Sequence, residues 1–162
     1  MIEGWQLDAH PDVVDSVRRL AGAGVRLVTL TNGARSVAES LLERAGVRGP
    51  FERLLSVEEA GEWKPARAAY EYGLQACGVT AERSMLVAVP WDIDLRRAGG
   101  VQTAWLDRSG SSPYPPFFQP AEVEASSLVQ LADELGAWRA VQDAERPPAR
   151  AGGRSDASWV SR

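Results

Sequence analysis

Val25-Arg26-Leu27-Val28-Thr29-Leu30-Thr31-Asn32-Gly33 is the stretch on which the fold turns. Its short apolar run, Val25–Leu30, is broken by Thr31-Asn32-Gly33 and reads as a buried strand. Upstream, Val13, Val14, Val17 and Leu20 mark one helical face, with Asp12 placed to serve near its start. That helix ends at Gly22-Ala23-Gly24. Downstream, a second helix sets Val37, Leu41, Leu42 and Ala45 on one side and stops at Gly46. The alternation then continues. Phe51–Val57 reads as a short strand, and Pro65 suits the first turn of a third helix that runs to about Cys77 and ends at Gly78. Ser84–Val89 is an apolar strand, Asp92–Ala98 a short helix and Val101–Leu106 another apolar strand. Apolar strands separated by helices predict an α/β fold, a parallel sheet with helices on both faces.

After Leu106 the pattern loosens. Ser109–Pro120 is rich in Ser, Pro and aromatics and reads as a surface loop, and Ser127–Leu135 as one more amphipathic helix. Beyond about Arg139, Pro147-Pro148 and Gly152-Gly153 with interspersed Arg and Ser describe a disordered tail. The expected organisation is a core domain over 1–136 and a tail over 137–162. No repeat at a solenoid period occurs.

Composition narrows the function classes. The 162 residues carry a formal charge of -4 and 44% apolar side chains, as an ordinary soluble acidic protein does. Five Arg in 136–162 face Asp143, Glu145 and Asp156, which is no basic stripe of the kind nucleic acid requires. No run approaches the ~20 apolar residues of a membrane span, and Met1–Pro11 has no signal-peptide pattern. Cys77 is the only Cys, which excludes an intramolecular disulfide and suits a reducing, cytoplasmic compartment. It falls in a helical apolar pattern, where an inert thiol is the ordinary reading. His10 is the only His, so His-rich metal sites and most Ser–His chemistry are excluded.

Seventeen of the eighteen basic residues are Arg, and the single Lys is Lys64, in Glu62-Trp63-Lys64-Pro65. A chain that supplies Arg wherever charge is wanted keeps a compact ammonium here. In open α/β sheets ligands bind beyond the carboxyl ends of the strands. Three polar clusters fall at such ends: Thr31-Asn32-Gly33 after the first strand, Lys64 before the third helix, and Asp92 in Pro90-Trp91-Asp92-Ile93-Asp94 after the Ser84–Val89 strand. A hydroxyl, an ammonium and a carboxylate on one rim suit an anionic substrate. Singly, each has a plainer reading. Thr-Asn-Gly is a common turn, Asp92 or Asp94 serves equally as a helix cap, and Tyr70 is more often core packing than chemistry.

In this order and spacing, Leu30-Thr31-Asn32-Gly33, Trp63-Lys64-Pro65 with Tyr70, and Pro90-Trp91-Asp92-Ile93-Asp94 resemble the haloacid dehalogenase superfamily. The type II 2-haloacid dehalogenases are the nearest branch. Phe51–Val57 and Gln102-Thr103-Ala104-Trp105 agree, and the resemblance runs from about Trp5 to about Leu135. It implies a hydrolase in which an Asp carboxylate attacks carbon bearing halogen, or phosphorus, and water then hydrolyses the ester. It implies that Thr31, with Asn32 beside it, donates to the substrate's carboxylate or phosphate. It makes Lys64 the cation that keeps the nucleophile ionised, Tyr70 a supporting residue, and Asp92 the carboxylate that positions water. No cofactor is implied; magnesium enters only in a phosphatase-like reading, through Asp92.

The resemblance begins downstream of the family's nucleophile strand and cap domain, and Val87, Ala88 and Val89 stand where relatives carry polar residues. The expectation is therefore a partial, Rossmannoid core, truncated and inactive alone, which would meet a small anionic substrate only if the missing half is supplied. Removing a central strand leaves a slot of roughly 9–10 Å between the Val25–Leu30 and Ser84–Val89 strands, two apolar edges through which chains self-associate. A non-enzymatic remnant or partner-binding fragment is the second reading. A nucleotide-binding module is the third, supported only by Gly22-Ala23-Gly24, which precedes a strand where the fingerprint must follow one.

Overall fold

The computed structural model describes residues 8–88, 100–110, 114, 116, 117 and 119–144, with 137–144 by backbone alone. In chain order the elements are α1 (Val13–Gly22), β1 (Leu27–Thr31), α2 (Arg35–Arg44), β2 (Phe51–Ser56), a 3-10 turn Val57–Glu59 and α3 (Arg67–Cys77). A second 3-10 turn (Ala81–Arg83), β3 (Met85–Ala88), β4 (Gln102–Leu106), β5 (Val123–Ala125) and α4 (Leu128–Ala144) follow. Every strand pairing is parallel. β1 pairs with β2 from Leu27↔Phe51 to Thr31↔Ser56, with an irregularity between Leu27 and Val28. β3 pairs with β4, and β4 with β5.

The α/β class and the four expected strands are thus present, but in two sheets, β1-β2 and β3-β4-β5. β1 and β3 do not close on each other, and each keeps one edge without a strand partner among the described residues. Their starts nonetheless share one core. Leu27 and Met85 pack against one core cluster of Leu20, Ala104, Ala125, Leu131 and Leu135. This cluster joins α1 and α4 to one face of the sheets. On β1, Leu30 lies against α3, since a Cβ on Gly73 would stand 3.5 Å from its Cδ2.

Local chemistry explains the boundaries. α1 buries Ser16, Val17 and Leu20 and stops where Gly24 takes φ 74°, a left-handed turn that costs glycine little. α3 ends on Gly78 at φ 62°, the αL cap expected of its position. The α3 carboxyl end gains a further partner. Arg26, exposed at the start of β1, donates to the Cys77 carbonyl at 2.9 Å while forking Glu52 at 2.6 and 2.7 Å.

Five expectations are corrected. Asp12 does not cap its own helix. Its backbone is already helical (φ -83°, ψ -7°), whereas a capping side chain needs a non-helical residue to reach the first turn. Instead its carboxylate accepts from Arg108 at 2.7 and 2.8 Å and from the Leu128 N–H at 2.7 Å, so it caps α4. Val37 is 59% exposed; the half-covered face of α2 is Ala38, Leu41, Leu42 and Ala45, the i, i+3, i+4, i+7 set, and Val37 lies to its side. Pro65 precedes the α3 cap residue, Ala66. It sits in a cis peptide after Lys64, in a turn closed by Ala66 N–H donating to Trp63 C=O. The last helix runs past Leu135 to Ala144. β5 lies in a stretch that carries too few residues for a periodic signal. The Asp92–Ala98 helix and Val89 fall outside the described residues.

Candidate functional site

Thr31 and Ser56 end the two paired strands in register, which sets both hydroxyls at the same carboxyl rim. The chain then turns sharply. Gly33 N–H donates to Thr31 Oγ1 at 2.9 Å, so the hydroxyl oxygen is an acceptor in a local turn. Ser56, only 2% exposed, donates its Oγ proton to the Gly33 carbonyl at 3.0 Å and accepts from Glu58 N–H at 3.3 Å. It thereby caps the 3-10 turn and holds the Thr31–Gly33 loop at once.

Asn32 brings in Lys64. Its Nδ2 donates to the Lys64 carbonyl at 3.0 Å, and its Oδ1 accepts from the Lys64 N–H at 2.8 Å. One side-chain amide therefore pairs with both backbone groups of Lys64 across 32 residues of sequence, as a strand neighbour would. Lys64 itself is half-buried. Beside it, Trp63 is 70% exposed. Trp105 packs edge-on to Tyr114, ring centroids 4.8 Å apart.

The structure thus gathers Thr31, Asn32 and Lys64 at one strand end. Tyr70 is 6% exposed on α3. Asp92, with Pro90, Trp91, Ile93 and Asp94, lies outside the described residues, just beyond β3. Among the described residues no group of three His, Cys, Asp or Glu is placed to hold a metal ion, and no helix is long and apolar enough to cross a membrane. Cys77, half-buried at the end of α3, has its thiol pushed up by burial, which disfavours the reactive thiolate.

Sequence reasoning missed two supports. Ser56 was legible only as the small polar residue that ends an apolar strand. Glu59 accepts from the Tyr72 hydroxyl at 2.5 Å and lies 3.6 Å from the Arg35 guanidinium, joining the first 3-10 turn, α3 and the start of α2 around the loop. The Glu59 hydrogen bond, with burial adding to it, pushes the Tyr72 phenol up. A surface hollow of about 370 Å³ is lined by Arg35, Glu39, Arg48, Glu52, Arg53, Leu54 and Leu55. None of Thr31, Asn32, Lys64 and Tyr70 lines it.

Comparisons with known proteins agree with the parallel α/β fold. The chain is 37% identical to haloacetate dehalogenase H-2 of Moraxella sp. (strain B) over 109 residues, 67% of this chain and 49% of that protein. It is 35% identical to an (S)-2-haloacid dehalogenase of Pseudomonas sp. (strain YL) over 126 residues, 76% of this chain and 53% of that one. The chain therefore spans about half the length of these curated relatives. Among solved structures, the L-2-haloacid dehalogenase RSc1362 superposes with a TM-score of 0.72 at 31% identity, covering 80% of this chain and 57% of that one. A HAD phosphatase from Thermococcus onnurineus superposes with a TM-score of 0.68 at 22% identity, over 79% of this chain and 58% of that one, a likeness of fold alone. The haloacid dehalogenase-like hydrolase family matches residues 2–87, just over half of the chain. On that match, and on the parallel fold with Thr31, Asn32 and Lys64 at one rim, this chain belongs to the haloacid dehalogenase-like hydrolases.

Proposed function

We propose that this chain carries the substrate-carboxylate and lysine half of a 2-haloacid dehalogenase site. The observation that carries the reading is the reciprocal pairing of Asn32 with the Lys64 peptide, which ties Lys64 to the loop of the Thr31 hydroxyl. In the reaction, a carboxylate oxygen forms a bond to C2 of the halo acid as the carbon–halogen bond breaks and halide leaves. Water then attacks the ester carbonyl, releasing the 2-hydroxy acid and restoring the carboxylate. Thr31 donates to the substrate's carboxylate, with Asn32 beside it. Lys64 keeps the nucleophile ionised and offsets developing charge. Tyr70 supports the site, and Asp92 positions the water. The carboxylate nucleophile comes from outside the described residues, and the 162-residue chain alone is inactive. Its single Cys suits the cytoplasm, and a small halo acid is its ligand.

The test is halide release from chloroacetate and (S)-2-chloropropionate by the full chain, alone and together with a polypeptide spanning the rest of a relative's length. Release only in the mixture supports the reading. Release by the chain alone overturns its inactivity, and no release by a mixture that assembles overturns the dehalogenase assignment. One observation favours a second reading, a non-catalytic fragment that acts by contact. Among the described residues β1 and β3 each keep an edge without a strand partner, and an assembled but inert mixture is its expected result.

A further inference from the structure

We infer that Ser56 is a positioning residue for Lys64, acting through Gly33 and Asn32 as a two-point clamp. The importance of Lys64 rests on the function proposed above; the clamp rests on geometry. The Thr31–Gly33 loop is held at two places to groups remote in sequence, one a side chain and one a backbone. At one, Ser56 Oγ grips the Gly33 carbonyl at 3.0 Å. At the other, the Asn32 amide grips the Lys64 peptide on both sides, at 3.0 and 2.8 Å. Asn32 lies between the gripped Gly33 carbonyl and the strand end at Thr31, so its side chain has few ways to point once Ser56 is engaged.

Ser56 is suited to the task. It closes β2 opposite Thr31, it is 2% exposed, and Glu58 N–H occupies its oxygen so that its proton is committed to Gly33. A buried hydroxyl with both capacities used is a rigid anchor, and rigid support of this sort places a charged group to within a fraction of an ångström. The turn beyond Lys64 adds a second constraint from the far side, through Ala66 N–H on the Trp63 carbonyl. Lys64 therefore takes its place from Ser56, which reaches it through Asn32 and touches no substrate.

Hydrogen exchange of the full chain, resolved at single amides, tests the clamp without any activity. The Lys64 N–H, which donates to Asn32, is the reporter, and the Leu128 N–H, which donates to Asp12, is the remote reference. Asn32→Ala and Ser56→Ala are each expected to speed Lys64 exchange by about fivefold or more while Leu128 stays within about twofold. Ser56→Thr, which keeps the hydroxyl, is expected to hold Lys64 at the wild-type rate. The clamp is overturned if Ser56→Ala leaves Lys64 unchanged, or speeds both amides equally as a general loosening would. Should Ser56→Ala fail to fold, fast Lys64 exchange in Ser56→Thr, or unchanged exchange in Asn32→Ala, overturns it instead. A failed halide assay leaves these exchange rates where they are, so the two ideas fail separately.

Discussion

β1 and β2 are hydrogen-bonded neighbours of similar length, yet they live in different surroundings. On β2, Leu54, Leu55 and Ser56 are buried, although β2 has no strand on its outer side among the described residues. On β1 all five residues are only half-covered. The second sheet repeats the contrast. β4 buries Thr103, Ala104 and Trp105, while β3 buries none of its four residues and leaves Val87 41% exposed. The poorly covered strands, β1 and β3, are two of the four that lack a strand on one side among the described residues, and their Leu27 and Met85 pack against the same core cluster. Cover in this molecule thus follows proximity to packed neighbours more than apolar content, because Val28, Leu30, Leu86 and Val87 are as apolar as the buried strands. The candidate site stands at the carboxyl end of the poorly covered region.

Leu30 and Leu55 face each other in register and offer the sharpest test of this contrast. Leu55→Ala, from a residue 6% exposed, is expected to cost about 2–4 kcal/mol, and Leu30→Ala about half of that. Urea unfolding of both variants measures it, and equal costs would break the comparison.

A smaller effect is expected at Asp12, which fastens α4 over the well-covered sheet. Burial pushes its carboxyl up, but the Leu128 N–H and the Arg108 guanidinium outweigh burial and hold it below the ordinary carboxylate range. A carboxyl with a depressed folded pKa contributes stability that is present above its unfolded value, about 3.9, and lost as pH falls through the folded value. The wild-type chain should therefore lose this contribution only below about pH 4. Asp12→Asn should lack it at every pH, at a cost of about 1–2 kcal/mol near neutrality. Denaturant midpoints from pH 3 to 7 check this; a wild-type profile no steeper on the acid side than that of Asp12→Asn would remove Asp12 from the support of α4.

The smallest change in folding stability is expected at Val87. Exposed apolar strand edges invite pairing with another chain, so the chain should self-associate with rising concentration in sedimentation velocity. Val87→Lys should shift stability by only about 0.5 kcal/mol yet lower the associated fraction. A chain that stays monomeric as concentration rises would mean that β1 and β3 are better covered than their exposure implies.

Much of the fold was legible. β1 to β4 announced themselves as apolar runs between glycine-marked breaks, and α3 was readable to its last residue because Gly78 supplies the αL cap that only glycine takes easily. β5 was not, because three residues cannot show a period. The fate of Val37 was not, because whether a flanking residue is covered depends on what stands beside the helix. That Thr31, Asn32 and Lys64 meet at one strand end followed from their order along an α/β chain, but the partner of Ser56 did not, since nothing local to it names Gly33.

By itself the sequence determined the α/β class, the parallel strands, the family and the three polar residues of the rim, because periodicity, glycine breaks and motif order are local properties of a chain. Only the tertiary structure decided that the strands form two sheets, that Asp12 caps a helix 116 residues away, and that Asn32 clasps the Lys64 peptide. Those outcomes depend on which groups distant in sequence come within about 3 Å of one another, a distance set by packing that no local pattern records.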